Sequence, residues 1–332
     1  MKVLIIGGTG LISRGIVKHL LARGAKVTMY NRARRDNPLS PDVELITGDR
    51  SQRDEFEGRF ANSRFDVVID MICFRPEEAE SDVRAFGGRC EQLQFCSSVA
   101  AYGVKISSDV LVDETFPQEP VSTYGKGKVA CEEVLMRADA ERKFRTTIFR
   151  PSNTYGPGRP LIDQLELDPV AWDRVERRLP ILCADSGMSL WQSTHRDDCG
   201  KAFAYGALNP KTYGEAYNAT HDRVFTWSDY YREVGVALDK PIELLTMPAG
   251  WIVKRDPARF SFLRDISRFH GAYSSAKAKR DIPEFRCEID FTAGARDALE
   301  DLRRRKAFRD GRNDDVYQQM VDHAAQLESR VE

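Results

Sequence analysis

The chain has 332 residues, with 50 Lys and Arg against 51 Asp and Glu, and a formal net charge of −1. Its hydrophobic fraction of 42% supports a large buried core and excludes a disordered chain. The balanced charge gives no global attraction to nucleic acid or to an anionic membrane. No apolar run reaches the roughly 18 residues that a membrane span needs. We therefore expect neither kind of partner.

The cysteines indicate a reducing compartment. There are seven, they are scattered, and no two form a C-x-x-C pair, which argues against a zinc site or a thioredoxin-like motif. An odd number of widely spaced cysteines is typical of reduced thiols. The apolar run at residues 3–6 is too short for a signal peptide. We therefore predict a cytoplasmic protein without a metal site.

The first half of the chain alternates between two kinds of pattern. Apolar runs predict strands over residues 2–6, 26–30, 43–46, 66–70, 92–96 and 144–149. Helical spacing predicts helices over residues 11–23, 52–60, 77–86 and 124–140. Short apolar strands separated by helices are typical of a parallel sheet covered on both faces. We therefore predict an α/β fold with a doubly wound parallel sheet.

The alternation ends near residue 155, where Pro157, Gly158 and Pro160 interrupt it. Beyond that point we predict helix with loop over 161–180, strands at 189–194 and 215–219, and helices at 197–208, 227–238 and 314–330. The predicted main domain is 1–155, with 189–220 contributing back to it. The predicted second region, smaller and mostly helical, comprises 156–188 and 221–332.

A glycine-rich turn, G-G-T-G at residues 7–10, follows the first predicted strand and opens a helix. This is the context of the dinucleotide-binding turn in a Rossmann-type fold. Gly7 permits the tight turn, and Gly10 lets a pyrophosphate approach the N–H groups of the helix N-terminus. Ser13 occupies the third glycine position of the usual pattern. A glycine turn that binds no ligand is the alternative. The cofactor residues predicted here are Gly7, Gly10, Leu11 and Ile12.

The end of the second predicted strand bears on the choice of cofactor. Folds that prefer NAD usually place Asp or Glu about 20 residues after the glycines, whereas this chain has Asn31. Arg32, Arg34 and Arg35 follow it. A neutral amide beside arginines would attract the 2′-phosphate of NADP, so we predict NADP, with NAD still possible. The alternative is that these arginines form a solvated loop face.

Tyr124 and Lys128 are four residues apart at the start of a predicted helix, and therefore lie on one face. A neighbouring ammonium would lower the pKa of a tyrosine from about 10 towards neutrality. Ser98 follows a predicted strand, at the edge where α/β sheets bind ligands. Alone, Y-x-x-x-K also occurs by chance on surface helices. Together with the glycine turn and Ser98 it predicts an acid/base site.

Further motifs occur in a fixed order along the chain. They are G-D at 48–49, S-S-V-A-A-Y-G at 97–103, P-V-S-T-Y-G-K-G-K at 120–128, R-P-S-N-T-Y-G-P-G at 150–158, T-H-R-D-D at 194–198 and G-E-A-Y-N at 214–218. With the glycine turn, they make the chain similar to the extended short-chain dehydrogenase/reductases, the NAD-dependent epimerase/dehydratase superfamily. The resemblance covers the chain to about residue 235.

The resemblance implies roles for particular residues. Asp49 and Arg50 would lie at the adenine end of the cofactor. Ser98 would orient the substrate oxygen, Tyr124 would exchange its proton, and Lys128 would bond the nicotinamide ribose. The candidate substrate contacts are Asn153, Trp191 and His195. The resemblance also implies a homodimer formed through the helix that carries Tyr124.

The resemblance further implies an NAD(P)-dependent oxidoreductase or epimerase. Its substrate would be a secondary alcohol or ketone of a sugar or a sugar-nucleotide-like molecule. Val99 and Ala100 stand where related dehydratases carry Asp and Glu, which disfavours dehydration. Trp191 stands where nucleotide-sugar epimerases often place a diphosphate-binding arginine, so an ordinary nucleotide sugar is in doubt. The alternative is a non-catalytic or RNA-binding protein of the same superfamily.

Overall fold

The computed structural model describes residues 1–33, 41–104 and 111–328. Its strands in chain order are β1 (Lys2–Ile6), β2 (Lys26–Asn31), β3 (Val43–Thr47), β4 (Phe65–Asp70), β5 (Cys90–Cys96), β6 (Arg145–Pro151), β7 (Asn153–Tyr155), β8 (Ile181–Ala184), β9 (Leu190–Trp191), β10 (Ser193–His195), β11 (Glu215–Ala219), β12 (Phe225–Thr226) and β13 (Leu244–Met247). Its helices are α1 (Leu11–Ala22), α2 (Arg53–Phe60), α3 (Pro76–Phe86), α4 (Thr123–Ala140), α5 (Ala171–Glu176), α6 (Arg196–Gly206), α7 (Trp227–Leu238), α8 (Ala249–Arg255), α9 (Ala276–Asp281), α10 (Phe291–Arg305) and α11 (Asp315–Glu328).

The central sheet has seven strands in the order β11-β6-β5-β4-β1-β2-β3, and all neighbouring pairs are parallel. Strands β1, β4 and β5 are buried almost throughout, as expected of strands covered on both faces. One face packs on α1 and α6 through side chains such as Ile16 and Phe203. The other packs on α2, α3 and α4 through side chains such as Phe56 and Leu135. The predicted doubly wound α/β fold is confirmed.

The strand register brings the proposed functional segments together. Ile6 is level with Tyr30 on one side and with Asp70 on the other. Asp70 is level with Phe95. Because parallel strands all end at the same edge of a sheet, the glycine turn, Asn31 and the segment leading to Ser98 meet at that edge.

The C-terminal region has two cores of its own. The first is rich in aromatic side chains, including Trp172, Trp227 and Tyr230. The second joins α8 and α11 to β8 and β13. This region is helical with short strands, and the strand predicted over 215–219 is β11, the outer strand of the central sheet.

The predicted helix with loop over 161–180 is present, with Ala171–Glu176 as its helix, and Trp172 Nε1 donates to Leu161 O in the preceding loop. The prediction of a single strand over 189–194 was wrong in detail. Over 189–194 the chain forms two short strands, β9 and β10, which pair with β12 and β7 instead of the central sheet. Among the residues described, no helix has the length and apolar character required to cross a membrane.

Candidate cofactor and active site

The glycine turn presents an open helix N-terminus. Gly7 has a φ of +100°, and a Cβ there would lie 2.6 Å from Ile72 Cγ2. Its N–H donates to Tyr30 O at 2.8 Å, which closes the turn against β2. Gly10 is the N-cap of α1 and provides no side-chain cap. A Cβ at Gly10 would meet only Ser13 Oγ, at 3.7 Å. The first amides of α1 are therefore open to an anion.

Close packing behind the turn depends on two glycines that sequence analysis did not identify. A Cβ at Gly15 would lie 2.2 Å from Arg196 O, and a Cβ at Gly200 would lie 2.3 Å from the carbonyl carbon of Gly15. Helices α1 and α6 therefore touch backbone to backbone. Ser13, at the third glycine position of the motif, is buried. The close approach that the motif's third glycine normally permits is provided two residues later, by Gly15. The spacing G-x-x-x-x-G from Gly10 was the available signal.

Asn31 is the last residue of β2, and only one of its two side-chain amide atoms has a hydrogen-bond partner among the described residues. Its Oδ1 accepts from Ala33 N at 2.7 Å, which fixes the orientation of the amide. Asn31 is 9% exposed, and its Nδ2 has no hydrogen-bond partner among the described residues. A buried donor without a partner is costly. An acceptor on a bound ligand at this edge of the sheet would satisfy it.

Arg32 and Asp49 lie beside this amide. Arg32 Nη1 is 3.8 Å from Asp49 Oδ2, and the Arg32 side chain is more than half exposed. The other carboxylate oxygen of Asp49 accepts from Ser51 N and Oγ at 3.0 and 2.8 Å. Arg34 and Arg35 lie outside the described residues. The cofactor roles of Asn31, Arg32 and Asp49 remain predictions.

The structure places the side chain of Arg50 away from the predicted adenine contact. Its guanidinium is buried and pairs with Asp70 and Asp82, donating to Asp82 Oδ1 at 3.0 Å. It also donates to Glu78 O at 2.9 Å. Burial lowers the pKa of Arg50, but the two carboxylates outweigh it and the pKa is raised. Arg50 is therefore a structural link between the β3–α2 loop and α3, and we exclude its side chain from the cofactor site.

The same cluster contains three ligand atoms that could surround a metal ion. Asp70, Cys73 and Asp82 each have one within 4.8 Å of the others. The Arg50 guanidinium bonds both carboxylates, so a cation is already provided there. Burial raises the pKa of Asp82 well above its ordinary value, against the opposing charge of Arg50, and the nearby Asp70 adds to this rise. The pKa of Asp70, in contrast, is lowered, since Arg50 and the hydrogen bonds to its carboxylate outweigh its burial.

Ser98 and Tyr124 meet at the end of β5. Ser98 Oγ accepts from Ala100 N at 3.2 Å and caps a short 3₁₀ helix at Val99–Tyr102. The Ser98 hydroxyl lies close enough to the Tyr124 phenol to lower its pKa. Tyr124 is half exposed at the start of α4. The structure thus brings together these two residues, which are far apart in the sequence.

Lys128 is buried beneath Tyr124. Its Nζ donates to Cys73 O at 2.8 Å and to Cys96 O at 2.7 Å. It lies 4.5 Å from the ring centroid of Phe74 and 5.6 Å from that of Tyr124. The ammonium is therefore fixed between the loops that follow β4 and β5.

The electrostatics of Tyr124 differ from the sequence-based expectation. Burial, followed by the neighbouring Cys96 thiol, raises the pKa of Tyr124 to about 12. The Ser98 hydroxyl and the charge of Arg159 act against this rise in the pKa. The prediction that the protein lowers this pKa was wrong, because the hydroxyl lies in a desolvated environment and Lys128 points at two carbonyls. Tyr124 is a protonated phenol at neutral pH.

Two glycines let α4 approach these loops. A Cβ at Gly125 would lie 2.5 Å from Ala100 O, and a Cβ at Gly127 would lie 2.3 Å from Phe74 O. The Ser122 hydroxyl caps the helix by accepting from Gly125 N at 3.0 Å. The glycines between Tyr124 and Lys128 therefore set how closely both side chains approach the sheet edge.

A buried polar network links three of the other motifs. Arg150 donates from Nε to Glu132 Oε1 at 3.0 Å and from Nη1 to the Tyr102 hydroxyl at 2.8 Å. Tyr102 donates to Asn218 Oδ1 at 2.9 Å, and Ser97 Oγ donates to Glu132 Oε1 at 2.5 Å. Sequence analysis did not identify Glu132 as a partner. These motif residues hold the loop that carries Ser98 against α4, β6 and β11.

Of the three candidate substrate residues, Asn153 lies on β7, half-buried, and donates from Nδ2 to Ser193 Oγ at 3.0 Å. Trp191 is buried and stacks on Trp227 at 4.7 Å. His195 is 4% exposed and caps α6 by accepting from Asp197 N at 3.2 Å. Burial lowers the pKa of His195, so it is neutral at pH 7. Trp191 Nε1 and His195 Nε2 are buried and have no hydrogen-bond partner among the described residues. Contacts from Asn153, Trp191 and His195 to a substrate remain predictions.

Comparison with known proteins agrees with this architecture. The model of the "NAD dependent epimerase/dehydratase family" matches residues 3–220, which run from β1 to just past β11. The chain is 27% identical over 286 residues to 2′-dehydrokanamycin reductase of Streptomyces kanamyceticus, covering 86% of this chain and 80% of that protein. It is 26% identical over 317 residues to chloroplast stem-loop binding protein of 41 kDa b of Arabidopsis thaliana, covering 90% and 78%.

The fold is also that of a solved structure, the Thermus thermophilus UDP-glucose 4-epimerase in complex with NAD. The TM-score is 0.73 at 21% identity, with 91% of this chain and 99% of that chain covered. Because the family's model matches the chain continuously across the whole central sheet, glycine turn included, this chain belongs to the NAD-dependent epimerase/dehydratase family.

Proposed function

We propose that the protein is an NADP-dependent oxidoreductase or epimerase acting on a secondary alcohol or ketone of a sugar or sugar-nucleotide-like substrate. The observation that carries this proposal is the arrangement of Ser98, Tyr124 and Lys128. Ser98 lies beside Tyr124 and lowers the pKa of its phenol, and the Lys128 ammonium is buried between the Cys73 and Cys96 carbonyls. The trio lies at the sheet edge that also presents the open N-terminus of α1.

Each residue of the trio has a distinct role in this proposal. NADP, when bound, supplies hydride chemistry at its nicotinamide ring. Tyr124 gives its proton to a ketone oxygen or takes it from an alcohol, and Ser98 orients that oxygen. Lys128, held by the Cys73 and Cys96 carbonyls, keeps a positive charge beside the phenol and bonds the nicotinamide ribose.

The protonation state of Tyr124 favours the reductive direction at neutral pH. A pKa of about 12 leaves the phenol protonated, which is the form that donates a proton to a developing alkoxide. The opposite direction needs the phenolate, which is scarce at pH 7. We therefore propose that ketone reduction is the faster half-reaction, and an epimerase would use it after each oxidation.

Asn31 and Arg32 support NADP over NAD. Asn31 Nδ2, which has no partner in the part of the chain that the structure describes, and the exposed guanidinium of Arg32 are both donors suited to a phosphate. Fluorescence titration of NADPH and NADH, repeated with Arg32→Ala, tests this. One charge-assisted bond to phosphate changes affinity about 10- to 150-fold, so the variant should lose most of its preference. Equal affinities in both proteins would contradict NADP specificity.

The substrate proposal depends on Trp191, which stands where nucleotide-sugar epimerases often place a diphosphate-binding arginine. Trp191 is buried against Trp227 and offers no charge to a diphosphate. A sugar ketone therefore need not carry a nucleotide, and the relative named as a 2′-dehydrokanamycin reductase fits such a substrate. The test is a panel of keto-sugars and nucleotide sugars, with products followed by mass and by cofactor absorbance.

We propose that dehydration is absent. Elimination of water needs two further proton-transfer groups beside the carbonyl, and Val99 and Ala100 are aliphatic members of the 3₁₀ helix that Ser98 caps. In the panel, products of equal mass or changed by two hydrogens agree with this proposal. A product lighter by one water, lost in Ser98→Ala, would contradict it.

Binding to a nucleic-acid stem-loop is the second candidate function, favoured by the similarity to a stem-loop binding protein over 90% of the chain. A fluorescently labelled RNA hairpin at physiological salt is the probe. We expect no saturable binding, because the chain's net charge of −1 gives little attraction to phosphates. Tight binding that survives Tyr124→Phe, together with no turnover in the panel, would favour this second function.

We also propose the domain boundaries, the oligomeric state and the cellular location of the protein. Residues 1–155 with part of 189–220 form the cofactor-binding domain, and residues 156–188 and 221–332 form the substrate-binding region. The protein is a homodimer through α4, which light scattering coupled to gel filtration would test. Its location is the cytoplasm, supported by seven cysteines that are all free thiols.

A further inference from the structure

Phe74 has an unusual position beside the proposed catalytic trio. It follows β4 and is 45% exposed. Its ring centroid lies 6.2 Å from that of Tyr124, and Lys128 Nζ lies 4.5 Å from it. Phe74 is thus an exposed aromatic side chain that lies against both Tyr124 and Lys128.

The backbone of Phe74 is held on both sides. Its N–H donates to Glu78 Oε2 at 2.6 Å, within the capping box of α3. Its carbonyl lies where a Cβ of Gly127 would be, 2.3 Å from that hypothetical atom. The preceding carbonyl, of Cys73, accepts from Lys128. The exposed ring is therefore presented by a fixed segment and is not a loose surface side chain.

This arrangement leaves part of the Phe74 ring exposed to a ligand. The ammonium of Lys128 contacts the ring through a cation–π interaction, and the Tyr124 ring is tilted at 44° to it. Phe74 is nevertheless 45% exposed. An apolar surface at that point suits the flat C–H face of a saturated six-membered ring, whose polar edge can then reach Tyr124 and Ser98.

Building on the proposed function, we propose that Phe74 is a specificity-determining residue that stacks on the pyranose ring of the substrate. It selects cyclic sugars over open-chain polyols with the same hydroxyls. Phe74 moves no proton. It contributes stacking contacts that are equal in the ground state and the transition state, so that its loss raises KM far more than it lowers kcat.

Two pyranose probes, methyl β-D-glucopyranoside and UDP-glucose, test this by NMR with the NADP-loaded protein, and D-glucitol serves as the open-chain comparison. We expect the pyranose C–H protons to move upfield on binding to the wild type. Phe74→Leu should abolish that shift and weaken binding about 3- to 10-fold, the range of an aromatic stacking contact. Phe74→Tyr should restore both, and D-glucitol should bind every variant weakly.

Trp251→Leu is the matched control, because Trp251 is also an exposed aromatic but lies on α8 against His323. It should leave the pyranose shifts unchanged. NADP affinity separates stacking from a positioning role. If Phe74→Leu weakens NADP binding as much as pyranose binding, Phe74 acts by holding Lys128 and the proposal is overturned.

Equal pyranose affinities in the wild type and Phe74→Leu, or no upfield shift in the wild type, would also overturn it. Failure of the proposed function has a different signature, namely no turnover anywhere in the sugar panel.

Discussion

Tyr124 is the residue on which the proposed chemistry depends most directly. Tyr124→Phe removes one hydroxyl from a half-exposed side chain and leaves Lys128 bonded to two carbonyls. We expect an unchanged melting temperature and NADPH affinity. We expect turnover to fall by about 10²–10⁴, the usual contribution of a positioned acid/base. Steady-state kinetics on the best substrate of the panel measure this, and an unchanged rate would remove Tyr124 from the mechanism.

The raised pKa of Tyr124 also predicts how the rates of ketone reduction and alcohol oxidation depend on pH. With a pKa of about 12, the fraction of protonated phenol is constant from pH 6 to about 10. Ketone reduction should therefore be independent of pH over that range. Alcohol oxidation needs the phenolate and should rise with pH, by about tenfold per unit when deprotonation limits the rate. A reductive rate that falls between pH 7 and 9 would show that the pKa is lowered in the working enzyme.

At the scale of elements, the contact between α1 and α6 positions the cofactor turn. Gly200 has no space for a Cβ because the α1 backbone at Gly15 and Ile16 lies within 3 Å of it. Gly200→Ala should force the two helices apart and destabilise the protein by about 1–3 kcal/mol or more, as overpacking does. Weaker NADPH binding should accompany this, since α1 supplies the open N-terminus.

A second helix glycine provides the control. A Cβ at Gly58 in α2 would meet nothing within 4 Å, so Gly58→Ala should stabilise the protein by about 0.5–1 kcal/mol. Urea unfolding of both variants makes the comparison. If Gly200→Ala were as stable as Gly58→Ala, the helices would not be in backbone contact.

At the scale of the whole molecule, one buried and two partly buried histidines predict acid sensitivity. Burial lowers the pKa of His19, His195 and His221. The unfolded chain takes up protons near pH 6.5, while the native state takes them up only at lower pH. Stability is therefore fully present above about pH 6.5 and is lost as pH falls through that value. Urea unfolding at pH 8, 7, 6 and 5 should give a steadily smaller free energy of unfolding below pH 7.

His195→Asn tests how much His195 contributes to the loss of unfolding free energy below pH 7. Asparagine is a good N-cap and can accept from Asp197 N as His195 Nδ1 does, but it does not titrate. The variant should match the wild type near pH 8 and lose less stability between pH 7 and 5. A slope identical to that of the wild type would show that His195 stays protonated or exposed in the native state.

The sequence by itself determined the alternation of strands and helices, the glycine turn and the trio of Ser98, Tyr124 and Lys128. These features are local or recur at fixed spacing. Buried parallel strands need short apolar runs, a turn against β2 needs glycine at Gly7, and a helix places residues four apart on one face. Each of these requirements involves only a few neighbouring residues, so it can be recognised from the sequence without knowledge of the tertiary structure.

Only the tertiary structure decided what each polar side chain meets. Arg50 looked like a cofactor ligand, but it is buried on Asp70 and Asp82. His195 caps α6 and Trp191 stacks on Trp227, and the sequence motifs indicated neither contact. The pKa of Tyr124 rises because its hydroxyl is desolvated by segments distant in sequence. The hydrogen-bond partners and the burial of a side chain depend on contacts between elements that are far apart in the sequence. A local sequence pattern does not contain those distances.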